Sequence, residues 1–280
     1  PAQDTAEAAG KLLAAFRDGD GARALAGLEA EARRRPSFAR PEEADTLPWT
    51  RLAEGSAGAR VLCVPTVLAS SGPHLMARFA GGFAGTRDVL ALSLPGFRAG
   101  EPLPASLTAL AETTARALRE GADGKPFVVA GYSSGGVLAH EAVRLLEAGG
   151  LFPEALVLLD TYVPDDAALR EATPALLAGM AGRMADLGPV DEAAFQAMGR
   201  YLELLKGWRP GPVKTPTLMI RPLLHLPGTA EGTAPRASWS QRHDMAEVSG
   251  DHFSLIEDHA PAAAAALGDW LASRAEREQS

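Results

Sequence analysis

Lys125-Pro126-Phe127-Val128-Val129-Ala130-Gly131-Tyr132-Ser133-Ser134-Gly135-Gly136-Val137 is the stretch whose reading decides the fold. Phe127 to Ala130 is a short apolar run with two adjacent valines, bounded by Lys-Pro before it and glycines after it. That pattern reads as a buried strand. Behind Gly136 the pattern turns helical, with Val137, Leu138, Ala142, Leu145 and Leu146 recurring among His140 and Glu141. Between the two lies Gly131-Tyr132-Ser133-Ser134-Gly135, a G-x-S-x-G sequence at a strand-to-helix junction, as a nucleophile elbow requires. On such a turn the Ser133 backbone is strained, and Gly131 and Gly135 lack the Cβ atoms that would collide there. The helix that follows aims its positive end at the reacting centre. The plainer alternative is a glycine-rich β–α turn with a helix-capping serine; the strand–turn–helix setting favours the elbow.

The chain around this stretch has 280 residues, 46% of them hydrophobic, enough for one large domain with an appendage. A formal net charge of −8 argues against a nucleic-acid surface, which wants a basic face. The single cysteine, Cys63, excludes an intramolecular disulfide, fits a reducing compartment and reads as strand packing. No apolar run reaches membrane-spanning length and no signal peptide is evident. The chain opens on Pro1, which suggests a domain cut from a longer polypeptide, with the cytoplasm as the default location.

Upstream of the elbow, residues 1–38 look unlike the rest. Ala6 to Phe16 and Ala22 to Ala32 read as two short helices, with Leu12, Leu13 and Phe16 on one face, and Leu25, Leu28 and Ala32 on one face. Arg33-Arg34-Arg35-Pro36 closes the second and reads as a solvated helix end. Such a hairpin must lay its apolar stripe on the main domain or on a partner. Residues 39–58 read as a polar connection anchored by Trp49, and Arg60 to Val64 as a strand. Leu75 to Phe83 is expected as a helix, Val89 to Leu92 as a strand and Leu107 to Arg119 as a helix. Beyond the elbow, Ala155 to Leu159 is another buried strand, stopped by Asp160. Strands alternating with helices signal an α/β fold on a mostly parallel sheet. The alternation lapses at about 165–208, where two successive helices would cover the site of an α/β-hydrolase fold as a lid. Met180 and Met184 suit a greasy substrate there, and plain core packing explains them equally well. Thr217 to Ile220 and Met245 to Val248 resume the sheet, residues 222–235 form a Gly/Pro-rich loop, and Pro261 to Leu271 is the last helix, with a frayed tail after Arg274.

A serine hydroxyl needs a base, and the base an orienting carboxylate, in the chain order Ser…acid…His for this fold. Of six histidines, His252 sits just past the final strand, where the general base is delivered. His140, on the elbow helix, reads as structural. Asp160 directly follows an apolar strand, at the carboxyl end where such sheets place catalytic groups. A turn cap is its other reading. The more frequent acid position follows the next strand, but Arg221-Pro222-Leu223-Leu224 offers no carboxylate. The oxyanion hole needs two backbone N–H groups: Ser134, and, from the turn Pro65-Thr66-Val67, Val67 is favoured because Pro65 has none. A metal is not called for.

At these residues the sequence resembles the terminal thioesterase domains of modular type I polyketide synthases. The tracts that carry the likeness are Ser71-Gly72-Pro73-His74, Leu94-Pro95-Gly96-Phe97, Gly100-Glu101-Pro102-Leu103-Pro104, Lys125-Pro126-Phe127 with the elbow, Leu159-Asp160-Thr161-Tyr162, and Gly250-Asp251-His252-Phe253. The paired N-terminal helices also look like that family's dimerisation helices. The resemblance implies a Ser133–His252–Asp160 triad, a homodimer through residues 1–38, and a thioesterase domain over 39–280 with a substrate channel under its lid. Thr66, Tyr132, Tyr162, Met180 and Met184 would then meet the substrate. The polyketide acyl chain would arrive on the phosphopantetheine arm of an upstream acyl carrier protein, with no cofactor bound to this domain. It would leave as a macrolactone or a linear acid. Tyr132 and Ser134 beside the nucleophile, the bulky Val67-Leu68 and the 222–235 loop depart from the family and bear on substrate length and cyclisation. A stand-alone editing thioesterase would lack the N-terminal helices, and a free esterase or lipase would carry His-Gly-Gly at the first oxyanion turn. A catalytically silent binding protein of the same fold would leave Ser133 unlabelled by serine-directed reagents.

Overall fold

Apolar runs in the middle and mixed segments at the two edges form seven strands of one sheet among the described residues. They are β1 (Trp49–Ala53), β2 (Arg60–Val64), β3 (Val89–Leu92), β4 (Phe127–Tyr132), β5 (Ala155–Leu159), β6 (Thr217–Pro222) and β7 (Asp244–Val248). The computed structural model describes residues 14–15, 18–164, 166–187, 191–225 and 236–279. The strand order is β1-β3-β2-β4-β5-β6-β7, with β1 antiparallel to β3 and the remaining pairs parallel.

The helices among the described residues are α1 (Gly21–Ala32), α2 (Ala77–Gly81), α3 (Leu107–Ala122), α4 (Ser134–Ala148), α5 (Ala167–Leu187), α6 (Glu192–Leu205) and α7 (Ala260–Gln279). Leu62, Val64, Val129 and Leu156 turn to one sheet face, under α3 and α4. Val61, Cys63, Val128 and Val157 turn to the other, under α2 and α7. Both faces are covered, so these strands are apolar at every position instead of alternating. Cys63 is fully buried among them and its thiol is pushed up to about 12 by that burial. Ser106 starts α3 by accepting a hydrogen bond from the Ala109 N–H, and Asp191 starts α6 through the Ala193 N–H.

The lapse of alternation between 165 and 208 is the helix pair α5 and α6. Helix α1 lies on α6, with Leu28 and Ala32 buried as the stripe requires. The approach depends on Gly199: a Cβ there would lie 2.8 Å from the Leu28 carbonyl carbon. Of the arginines after α1, Arg33 and Arg34 are exposed, as a solvated helix end requires, and Arg35 is not. Arg33 pairs with Glu203 of α6, its Nε 3.0 Å from the carboxylate. The half-buried Arg35 donates to the carbonyls of Ala193, Gly96 and Glu101 at 2.9, 2.8 and 2.8 Å.

Two further expectations are corrected. Residues 49–53 are the antiparallel edge strand β1, its indole seated against α3 at Gly121. A pair of two-residue strands, Ser37–Phe38 with Leu103–Pro104, ties the segment after α1 to the domain. The last helix does not fray after Arg274 but continues to Gln279. The expected helix from Ala6 to Phe16 lies outside the described residues apart from helical Ala14 and Ala15. So do most of the 222–235 loop and the Met184 side chain.

Candidate active site

Ser133 stands between β4 and α4 with φ 53° and ψ −130°, backbone that a side-chain-bearing residue rarely adopts. Such a conformation costs on the order of 1–3 kcal/mol and persists where the surroundings over-determine it. Two features do so here. The Ser133 N–H donates to the Leu159 carbonyl at 2.9 Å. A Cβ on Gly131 would sit 2.7 Å from the Gly135 carbonyl oxygen, and one on Gly135 2.5 Å from that of Val64. The two expected glycines are therefore sterically required, and so is Gly136, whose Cβ would run into the Thr161 side chain. That third glycine follows the motif directly, and its place beside β5 shows only in three dimensions.

Asp160 follows β5 as Ser133 follows β4, and the strands pair Tyr132 with Leu159, so the two residues leave the sheet side by side. Asp160 also has a positive φ, 42°, and its N–H donates to the Ile220 carbonyl at 2.9 Å. Its carboxylate Oδ2 lies 2.7 Å from Nδ1 of His252, and both residues are 2% exposed. A buried carboxylate needs such a partner, and the turn-cap reading of Asp160 gives way to it. Capping of the His252 loop falls to Asp251, which accepts from the N–H groups of Phe253 and Ser254 at 3.0 and 2.9 Å. At the end of β6, Arg221 pairs with Glu247 of β7 at 2.8 Å, which accounts for a cation where a carboxylate is more usual.

Tyr132 fixes the histidine from the elbow side. Its hydroxyl donates to the His252 carbonyl at 2.9 Å, and the two rings stack with centroids 5.2 Å apart. Burial, then the charge of Asp160, raise the Tyr132 phenol well above its ordinary range, so it stays a donor. Tyr162 lies tilted at 6.3 Å from the same imidazole. Of the two expected oxyanion donors, the Ser134 N–H begins α4. The Val67 N–H donates to the Ser134 hydroxyl at 3.0 Å, and the Thr66 hydroxyl lies 2.8 Å from the same oxygen. Strand end and elbow are thus stitched together at the position where the hole was expected.

Ser133 borders two cavities. One, about 230 Å³ and mainly apolar, is walled by Tyr162, by Leu176 of α5 and by Leu202 of α6. The other, about 40 Å³, is bordered by Thr66, Tyr132, Met180 and Phe253. Met180 is 1% exposed in a cluster with Phe195 and Met198, so core packing and cavity lining are both true of it. Arg183 bridges this region: its Nε lies 2.6 Å from Glu257 while its guanidinium covers the Phe253 ring at 4.0 Å. Nothing in the sequence pattern singled it out. Among the described residues no cluster of His, Cys, Asp and Glu is suited to a metal, and no helix is long and apolar enough to cross a membrane.

Residues 59–271 match the thioesterase domain family. The chain belongs to that family. This thioesterase domain is 38% identical over 278 residues to the polyketide synthase GfsE of Streptomyces halstedii, covering 96% of the chain and 7% of that protein. It is 38% identical to the spectinabilin polyketide synthase system protein NorC of Streptomyces orinoci, covering 85% of the chain and 11% of that protein. It is also 35% identical to erythronolide synthase EryA3 of Saccharopolyspora erythraea, over 81% of the chain and 7% of that protein. The domain therefore spans about a tenth or less of these relatives. Among solved structures, its fold matches the type II thioesterase BorB from the borrelidin cluster, at TM-score 0.60, 21% identity and coverage of 81% and 98% of the two chains. It also matches the RedJ thioesterase of Streptomyces coelicolor, at TM-score 0.54, 22% identity and coverage of 79% and 95%.

Proposed function

We propose that this domain releases a finished polyketide chain from an acyl carrier protein upstream in the same cytoplasmic polypeptide, through an acyl ester on Ser133. The observation that carries the reading is the buried 2.7 Å pair of His252 and Asp160, at the end of the sheet where the elbow presents Ser133. In the first half-reaction, Ser133 Oγ attacks the thioester carbonyl while the His252 imidazole takes the hydroxyl proton. Asp160 holds the ring and stabilises the imidazolium. The tetrahedral intermediate collapses by breaking the C–S bond, and His252 returns the proton to the phosphopantetheine sulfur. In the second half, His252 deprotonates either a hydroxyl of the same chain or water, which attacks the ester. The products are a macrolactone or a linear acid, and Ser133 regains its proton.

Oxyanion charge would fall to the Ser134 and Val67 N–H groups, the latter leaving the Ser134 hydroxyl as charge develops. Thr66, Tyr132, Tyr162, Met180 and Met184 are retained as substrate contacts in this proposal. Similarity to GfsE over 96% of the chain takes in the N-terminal extension, which favours a synthase domain over a stand-alone editing enzyme. A homodimer through residues 1–38 belongs to the same reading. Because α1 is seated on its own chain, its exposed side, at Arg23, Ala26 and Ala30, is where a second copy would meet it.

The test is labelling with a fluorophosphonate, followed by incubation with a long ω-hydroxyacyl N-acetylcysteamine thioester and mass analysis of the products. Wild type should label and turn over, yielding lactone or acid, and Ser133→Ala should do neither while melting normally. Normal turnover by Ser133→Ala would overturn the assignment.

A further inference from the structure

The 230 Å³ cavity beside Ser133 is not enclosed by the hydrolase core and the α5–α6 pair alone: Leu25 and Glu29 of α1 also line it, together with Lys206 just after α6. Leu25 is half-buried and packs on the cluster that holds Leu28, Leu177 and Phe195, a cluster that also takes in Leu68 from the turn next to Val67. The helix read as an appendage is thus continuous, through side-chain packing, with the oxyanion turn. Besides the hydroxyl-bearing Ser133, Ser134, Tyr162 and Thr173, the polar lining of this mainly apolar space is one ion pair, Glu29 Oε1 with Lys206 Nζ at 2.6 Å. Glu29 is largely covered, while Lys206 reaches towards solvent, their side chains being 14% and 57% exposed.

We propose that α1 sets acyl-chain specificity: Leu25 limits how much chain the cavity takes, and the Glu29–Lys206 pair receives an oxygen carried on the chain far from its thioester end. The inference rests on the acyl-Ser133 reading and deepens it. Its physical basis is a difference between two kinds of contact. An apolar wall discriminates by length, a methylene more or less being worth on the order of tenfold or more. A hydrogen-bonding pair in a largely apolar space accepts a hydroxyl or keto oxygen at low cost, and gives a saturated chain end nothing in return for displacing its water. The ligand class that follows is a medium-length acyl chain bearing a distal oxygen function. For a chain that cyclises through its own hydroxyl, the same pair would hold that hydroxyl away from Ser133 until the chain folds back.

The experiment measures kcat/KM for straight acyl N-acetylcysteamine thioesters from four to twelve carbons, and for their ω-hydroxy counterparts, with wild type, Leu25→Ala, Leu25→Phe, Glu29→Gln and Lys206→Met. Leu25→Ala should move the preferred length up by about two carbons, and Leu25→Phe should move it down, with about tenfold changes at the flanking lengths. Glu29→Gln and Lys206→Met should lower the ω-hydroxy series about fivefold, the size of one net hydrogen bond, and leave the unsubstituted series within twofold. Fluorophosphonate labelling of Ser133 should be retained in all four variants, which shows that each still folds and presents the serine. A length profile unmoved by both Leu25 variants, or equal losses in the two series, overturns this inference. Failure of wild type to label overturns the acyl-enzyme reading instead, so the two failures are told apart.

Discussion

His140 is the histidine nearest to Ser133 in sequence, and its environment makes a prediction about both acid stability and catalysis. It is 1% exposed, edge-on to Trp208 at 5.4 Å and to Trp239 at 5.1 Å, and neither ring nitrogen makes a well-formed hydrogen bond among the described residues, the Gly211 backbone lying beside the ring. Burial pushes the imidazole from 6.5 down to about 4, and the nearby charge of Glu141 offsets only part of that. The folded protein therefore keeps His140 neutral down to about pH 4, while the unfolded chain protonates it below about 6.5. The stability this provides is fully present above the unfolded value and is lost as pH falls through the interval between the two. Over the two units from pH 6.5 to 4.5, at about 1.4 kcal/mol per unit, the loss is about 3 kcal/mol. With an unfolding entropy of about 2.1 cal/mol/K per residue over the chain, this corresponds to a Tm decrease of about 5 °C. Calorimetry of wild type and His140→Phe from pH 7.5 to 4.5 isolates the contribution, because His74, also lowered by burial, is common to both proteins. Glu141, Glu147 and Glu203, held below 4.5 by their hydrogen-bond and charge partners despite burial, begin to lose their contribution only near pH 4.5 and are common to both proteins. The wild-type curve should fall about 5 °C further than that of the variant. Parallel curves would refute burial of a neutral imidazole as the cause. Thioester turnover at pH 7.5 should stay within about twofold in His140→Phe; a loss of several orders of magnitude would remove His252 as the base.

Two further substitutions probe the supports of the site. Tyr132→Phe deletes the donor to the His252 carbonyl and should cost about 1–3 kcal/mol of stability and about tenfold in kcat, with KM little changed; unchanged Tm and acylation rate would show that stacking alone holds the ring. Ser134→Ala removes the hydroxyl that occupies the Val67 N–H, so acylation should hold or rise by up to about fivefold while Tm drops. An acylation loss beyond about tenfold would mean that the hydroxyl itself takes part in binding the oxyanion.

The His252–Asp160 pair and the elbow were legible because each announces itself locally. A strand apolar on both faces and ended by glycine or a carboxylate marks the rim of a parallel sheet, and Ala155 to Leu159 followed by Asp160 carries that mark as plainly as the stretch before Ser133 does. The strand β1 was hidden by its composition: an edge strand exposed on one side mixes Thr50 and Arg51 with Trp49 and Leu52, and so reads as a connection. Arg35, after α1, was misread for a different reason. Charge near a helix end says nothing of partners 158 to 170 residues away, where Ala193 and Glu203 are found. The cavity wall is hidden in the same way, since Leu25 and Lys206 meet only once α1 is laid on α6.

The site's geometry owes more to the backbone than to the side chains proposed to perform the chemistry. Ser133 and Asp160 leave neighbouring strands at one level, and each is held by a ladder-like hydrogen bond from its own N–H to the next strand, at Leu159 and Ile220. Both have positive φ without being glycine, so each stores strain on the order of 1–3 kcal/mol that the sheet must contain. The sheet contains it because β4, β5 and β6 are packed on both faces, where yielding at a strand end would disturb many closely packed side chains. Replacing Ser133 or Asp160 by a side chain of similar size should therefore abolish chemistry without moving the backbone. By the same reasoning, a Cβ at Gly131, Gly135 or Gly136, none of which enters the reaction, should damage activity by moving the elbow itself.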